Sequence, residues 1–197
     1  MEKTLVLATF NRHKASEMLA IMPRLPLEPR TLAEFPGAVP AEEDGASLEE
    51  NAVKKAAAAA AFTGLWALAD DTGLEVDALG GAPGVRSARY AGGNATAAAN
   101  NALLLARLAD VPPERRTARF VCVVALASPG GGVFTARGAL EGRITAGGRG
   151  GAGFGYDPLF ELPDGRTLAE LSEAEKNAVS HRARALAAML PRLLALR

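Results

Sequence analysis

Apolar and polar residues change their spacing several times along this chain, and each change predicts an element. Thr4-Leu5-Val6-Leu7-Ala8 is a short apolar run, so residues 4–9 read as a first strand. Met18, Leu19, Ile21 and Met22 supply one apolar face and predict a helix over residues 13–22. Pro23, Pro26, Pro29, Pro36 and Pro40 make residues 23–46 loop-rich, with a strand near Leu27–Leu32. Ser47-Leu48-Glu49-Glu50 is a capping box that opens a helix running through Ala56–Ala61 to Gly64. Alanine is the strongest helix former, so this tract reads as a helix packed closely on a sheet. Leu65-Trp66-Ala67-Leu68-Ala69, bounded by Gly64 and Gly73, is too short for a typical helix and reads as a buried strand with the acids Asp70-Asp71 at its mouth.

Further along, Leu74–Gly93 is punctuated by Gly and Pro, and a helix is predicted near residues 95–108. Arg119–Ala127 is apolar and β-branched, a central strand, and Gly130-Gly131-Gly132 turns the chain into a second strand near Val133–Ala139. Ser172-Glu173-Ala174-Glu175 is another capping box and starts a short helix at residue 173. Ser180 suits the N-cap of a new helix from His181, rich in Ala and Leu, with Pro191 placed to kink or end it. Helices between the early strands and a hairpin later predict a single α/β domain over residues 1–197, built on a mixed sheet.

Composition narrows the function classes. With 22 basic and 22 acidic residues the formal net charge is zero, which disfavours a nucleic-acid polymer as partner. The single Cys122, inside an apolar run, excludes an intramolecular disulfide framework and any multi-cysteine metal site, and reads as a small core residue. The chain enters its first strand without a basic leader, and no run approaches the roughly 18 apolar residues of a membrane span. A cytoplasmic protein with no membrane partner is the expectation.

Five segments could carry chemistry, and each has a plain structural alternative. Adjacent carboxylates at Asp70-Asp71 are costly beside a buried strand unless a cation or donors compensate them, and Mg²⁺ is the simplest compensator; the alternative is a solvated turn in which one Asp caps the backbone. Thr9-Phe10-Asn11-Arg12-His13-Lys14 lies at the first strand-to-helix junction, where unpaired amides attract anions, although it lacks the P-loop glycines; the alternative is a helix cap at Asn11 with solvated cations. Glu42-Glu43-Asp44-Gly45 is either a solvated acidic loop or the source of a second carboxylate for a metal. Lys176 and the His181-Arg182 pair converge on one ligand only if the chain bends at Ser180; otherwise they are solvated cations at a helix junction. Phe154-Gly155-Tyr156-Asp157-Pro158 offers a stacking face for a base, with Asp157 at its edge, or is aromatic core packing.

Taken together and in order, these segments resemble the inosine triphosphate pyrophosphatase family. The matching stretches are Leu7-Ala8-Thr9-Phe10-Asn11 with Lys14, Glu42 to Gly45 with Glu50-Asn51-Ala52, Ala69-Asp70-Asp71-Thr72-Gly73-Leu74, Ala78-Leu79-Gly80-Gly81-Ala82-Pro83-Gly84, Ser87-Ala88-Arg89-Tyr90, Gly153-Phe154-Gly155-Tyr156-Asp157-Pro158, and Glu175 to Arg182. The resemblance implies hydrolysis of ITP, dITP and XTP to the monophosphate and pyrophosphate, which cleanses the nucleotide pool of deaminated bases. It implies an elongated two-lobed α/β fold with a nucleotide cleft between the lobes, and a homodimer. It puts the phosphates on the loop Thr9, Phe10, Asn11, Arg12, His13 and Lys14, held by Thr9, Asn11 and Lys14. Glu42 and Asp71 hold Mg²⁺ in this reading, Asp71 activates water, and Thr72 touches substrate through its hydroxyl. Phe154 stacks on the purine beside Gly155 and Tyr156, with Asp157, Lys176, His181 and Arg182 around its edge. One departure is Phe10, where many members carry Gly. A Maf-like nucleotide pyrophosphatase is the runner-up, disfavoured by the Lys176–Arg182 segment, and a silent nucleotide sensor is disfavoured by Glu42 with Asp71.

Overall fold

The structure is a computed structural model that describes residues 3–23 and 25–196. Among them the strands are β1 (Lys3–Leu7), β2 (Leu27–Thr31), β3 (Trp66–Val76), β4 (Pro83–Gly84), β5 (Thr117–Ala127), β6 (Val133–Ile144) and β7 (Phe160–Glu161). The α-helices are α1 (Arg12–Ile21), α2 (Leu48–Thr63), α3 (Ala97–Arg107), α4 (Glu173–Val179) and α5 (His181–Leu194). The expected α/β architecture with a mixed sheet is present. The described residues group into two compact units, and β3, β5 and β6 contribute residues to both.

The first unit comprises described residues of 3–71, 122–138 and 181–196. Its strands follow the order β2-β1-β3-β5-β6, with β1 parallel to β2 (Val6 opposite Arg30) and to β3 (Val6 opposite Ala67). Leu5, Leu7, Met18, Leu68, Val124 and Met189 anchor its core, and Cys122 is buried there as a small apolar residue. Ser47 caps α2 by accepting from the Glu50 amide, and the helix stops at Gly64. The buried stripe of α2 is Leu48, Asn51, Ala52, Ala56, Ala59 and Ala60, so small side chains let the helix approach closely, and one polar residue lies among them. Pro191 does not end α5 at its own position: the helix continues to Leu194. Burial of Met189 and Leu193 on either side of it outweighs the one backbone hydrogen bond that a proline removes.

The second unit comprises residues 72–121 and 139–180. Here the order is β4-β3-β5-β6-β7, with β4 antiparallel to β3 (Glu75 opposite Pro83) and β7 antiparallel to β6 (Arg143 opposite Glu161). Leu74, Val76, Leu104, Phe120, Leu140 and Phe160 form its core. Two strands outrun their expected ends. β3 does not finish at the acid pair but runs on to Val76, because Leu74 and Val76 alternate into this core and are fully buried. β6 extends past Ala139 to Ile144 for the same reason, with Leu140 and Ile144 inward. A helix break is present at Ser180: α4 ends at Val179, Ser180 is extended, and α5 starts at His181.

Candidate functional site

Side chains of successive strand residues leave opposite faces of a sheet, and this divides the acid pair on β3. Asp70 faces α1 and α5. Its Oδ2 accepts from Arg182 through Nη2 at 3.0 Å and Nε at 3.2 Å, and lies 3.3 Å from Lys14 Nζ. Arg182, which is 1% exposed, also pairs with Glu17. Burial alone would raise the Asp70 carboxyl, but Lys14, Arg182 and Lys55 outweigh it and hold the group far below the usual carboxylate range. Burial likewise disfavours the Arg182 cation, but Asp70 and, to a smaller extent, its other neighbours including Glu17 raise its pKa overall.

Asp71 faces α2. Its Oδ1 accepts from Lys55 Nζ at 2.9 Å and its Oδ2 from Asn51 Nδ2 at 3.2 Å. Lys55 Nζ also donates to Glu43 Oε1 at 2.9 Å, and Asn51 Oδ1 accepts from the Gly45 amide at 2.8 Å. Burial works against the Lys55 ammonium, yet Asp71, Asp70 and Glu43 together raise its pKa. Glu42 is exposed on the same loop, while its neighbour Glu43 is the residue linked to Asp71 through Lys55.

The loop between β1 and α1 is shaped as a helix cap. Thr9 Oγ1 accepts from the Asn11 amide, and Asn11 Oδ1 accepts from the amides of His13 at 3.0 Å and Lys14 at 3.2 Å. The first amides of α1 are therefore engaged by Asn11, and positive charge at this junction comes from side chains. Arg12 and His13 are exposed, Lys14 leans on Asp70, and the Phe10 ring is 40% exposed. His181 is buried at the start of α5.

The second unit builds its own group. Asp157 Oδ2 accepts from the Phe154 amide at 2.8 Å and from Lys176 Nζ at 2.7 Å, so it folds the loop back and holds the lysine. Lys176 Nζ then sits 4.6 Å from the centre of the Phe154 ring, a cation–π contact. Gly153 has φ of 75°, and a Cβ there would lie 2.2 Å from Asp157 Oδ2, so only glycine fits this turn. Tyr156 is core: its hydroxyl donates to the Ser87 carbonyl at 2.8 Å, and burial pushes its phenol pKa up. The Gly155 carbonyl accepts from Asn101 Nδ2 at 3.1 Å, and Thr72 is half-buried where β3 enters this unit.

Three participants were given no role by the sequence reading. Asn51 and Lys55 are four residues apart and share one helix face among buried alanines, a polar stripe that helical period alone could have flagged. Asn101 carried no comparable signal.

The Ham1 family model matches residues 5–192. A dITP/XTP pyrophosphatase of Geobacter sulfurreducens is 56% identical over 184 residues, covering 93% of this chain and 92% of that one. Among solved structures, a HAM1 protein from Coxiella burnetii is 42% identical with a TM-score of 0.89, covering 99% of this chain and 100% of that one. A nucleoside-triphosphatase, dITP/XTP pyrophosphatase, from Mycobacterium abscessus is 47% identical with a TM-score of 0.78, covering 96% and 99%.

Proposed function

We infer the function of this chain from one premise: it belongs to the Ham1 family. It is a nucleoside triphosphate pyrophosphatase that hydrolyses non-standard purine nucleotides, ITP, dITP and XTP, to the monophosphate and pyrophosphate, and so keeps deaminated bases out of DNA and RNA. The observation that carries this reading is the 56% identity to a dITP/XTP pyrophosphatase along 93% of the chain. Residues 1–197 act in it as one catalytic domain, in a cytoplasmic homodimer. No helix among the described residues is long and apolar enough to cross a membrane.

The cofactor we propose is Mg²⁺, held by Glu42 and Asp71. The donors offered by Glu42, Glu43, Asp44 and Asp71 are all hard carboxylate oxygens, which suit this ion. No group of three His, Cys, Asp or Glu side chains gathers around a metal position among the described residues, and a Mg²⁺ site completed by water and phosphate oxygens requires none. When bound, the ion lowers the pKa of coordinated water and neutralises charge on the phosphates. Asp71 is the general base: its carboxylate takes the proton from the attacking water as the water oxygen bonds to phosphorus. The α–β anhydride breaks and pyrophosphate leaves with the electron pair. Lys55 and Asn51 each occupy one lone pair on a different Asp71 oxygen, which fixes the carboxylate and leaves each oxygen a second lone pair. Thr9, Asn11 and Lys14, in the loop with Phe10, Arg12 and His13, hold the phosphates; the Lys14 ammonium has donors beyond the one it turns to Asp70. Arg182, engaged by Asp70 and Glu17, we read as holding Asp70 against Lys14. His181 and Thr72 are kept as substrate contacts.

The purine stacks on Phe154, beside Gly155, Tyr156 and Asp157. Lys176, already fixed by Asp157, donates to the 6-carbonyl of hypoxanthine or xanthine. Adenine places an amino donor there, and a donor facing a donor is costly in a desolvated site. Pyrophosphate release from ITP, XTP, dITP, GTP, ATP and dUTP with Mg²⁺ tests the reading: kcat/KM for ITP should exceed that for ATP by at least about 10²-fold, and equal values overturn it. Phe154→Ala should raise KM for ITP by about 5–150-fold, the worth of one base stack, with little change in kcat. An unchanged KM in steady-state kinetics removes Phe154 from the base site.

A further inference from the structure

We propose that Asn51 is a positioning residue for the metal-binding acids, locking the Asp71 carboxylate and the Glu42–Gly45 loop to one another. The inference rests on the metal reading above. Asn51 is fully buried on α2, and its amide faces two partners from distant parts of the first unit. The Gly45 N–H can only donate, so Oδ1 must face it, and Nδ2 is thereby aimed at Asp71 Oδ2. The loop has no regular structure of its own; Glu42, Glu43 and Asp44 are exposed, and Gly45 is its buried anchor. A Cβ at Gly45 would lie 2.6 Å from Asn51 Oδ1 and 2.9 Å from Glu50 Cβ, so glycine is what lets the amide reach Asn51. A second tie joins loop and strand through Lys55, but that tie is a cation set among the same carboxylates. Asn51 carries no charge, so it orients the acids without competing for whatever they bind. Groups that orient metal ligands in this way are worth roughly 10–100-fold in metal affinity.

The test is a titration of Mn²⁺ alone, in the absence of nucleotide, with unbound Mn²⁺ read by electron paramagnetic resonance. The proteins are the full-length wild type, Asn51→Leu, Gly45→Ala and Asp71→Asn, each first melted by circular dichroism to establish that it is folded. Asn51→Leu keeps nearly the same volume and removes both hydrogen bonds; Gly45→Ala keeps Asn51 and pushes the loop off it. Both should bind Mn²⁺ about 10–100-fold more weakly than wild type. A packing role alone would lower the melting temperature and leave the affinity of the folded protein unchanged. Should Asn51→Leu fail to fold, Gly45→Ala decides. Wild-type affinity in a folded variant while Asp71→Asn is weakened overturns this proposal only. No Mn²⁺ binding by wild type, or wild-type affinity in Asp71→Asn, overturns the metal reading and this proposal with it.

Discussion

Asp71→Asn is expected to lower kcat for ITP by roughly 10²–10⁴-fold, the usual worth of a positioned general base. The substitution preserves shape and removes one negative charge. An amide oxygen can still face Lys55 Nζ, so the link from Lys55 to Glu43 has no reason to collapse. What disappears is the group able to take a proton from water, together with a charged oxygen for a cation. In the proposed reading the nucleotide is held by Thr9, Asn11, Lys14 and Phe154, and the hydrogen bonds of Asp71 run to Lys55 and Asn51 instead, so nucleotide affinity should be kept. Calorimetry with ITP on the inactive variant and steady-state pyrophosphate release measure the two halves. Near-wild-type kcat would remove Asp71 from catalysis, and lost binding with lost turnover would make it a binding residue instead.

The second large effect is on stability. Arg182→Met should lower the unfolding free energy by about 3–5 kcal/mol, because it leaves the buried Asp70 charge short of its closest partner. For a chain of this size that is a drop of roughly 6–20 °C in melting temperature. The pH dependence gives an independent check. Asp70 has a depressed pKa in the folded state, so its contribution is complete above the ordinary Asp value of about 4 and drains away as pH falls below it. Without Arg182 the depression shrinks, and the melting temperature of the variant should fall less than that of wild type between pH 5 and 3, where about 4 is the dividing value. Parallel curves for the two proteins would show that Arg182 is not what holds Asp70 ionised.

The two charged residues with the largest expected effects were legible to different degrees. Asp71 was visible because two acids at a buried strand demand an explanation, whatever the fold. Arg182 was visible only as a cation near a bend; that it is buried and turned to Asp70 depends on α5 returning to β3 across more than a hundred residues, a contact no local pattern encodes. The caps at Asn11, Ser47 and Ser172 and the break at Ser180 were readable because they rest on backbone amides a few residues away. The extension of β3 was not, since Gly73 is an ordinary strand breaker until Leu74 and Val76 find a core to enter. Lys55 and Asn51 were hidden by the alanines around them, which drew the helix as plain packing.

The first unit is stitched from three separated stretches, and this has a consequence for biosynthesis. Arg182 follows Asp70 by 112 residues. At translation rates of about 5–20 residues per second, the carboxylate waits on the order of ten seconds for its guanidinium to be made. Through that interval Lys14 is already available to it, but the core of the first unit lacks Ala185, Leu186, Met189 and Leu193. A nascent chain at that stage lacks the α5 side chains that complete the core with Leu5, Leu7, Cys122 and Val124, so part of that apolar surface is left uncovered. Completion of α5 supplies the missing apolar face and the missing cation together, so the acid pair acquires its final setting only as this last helix arrives.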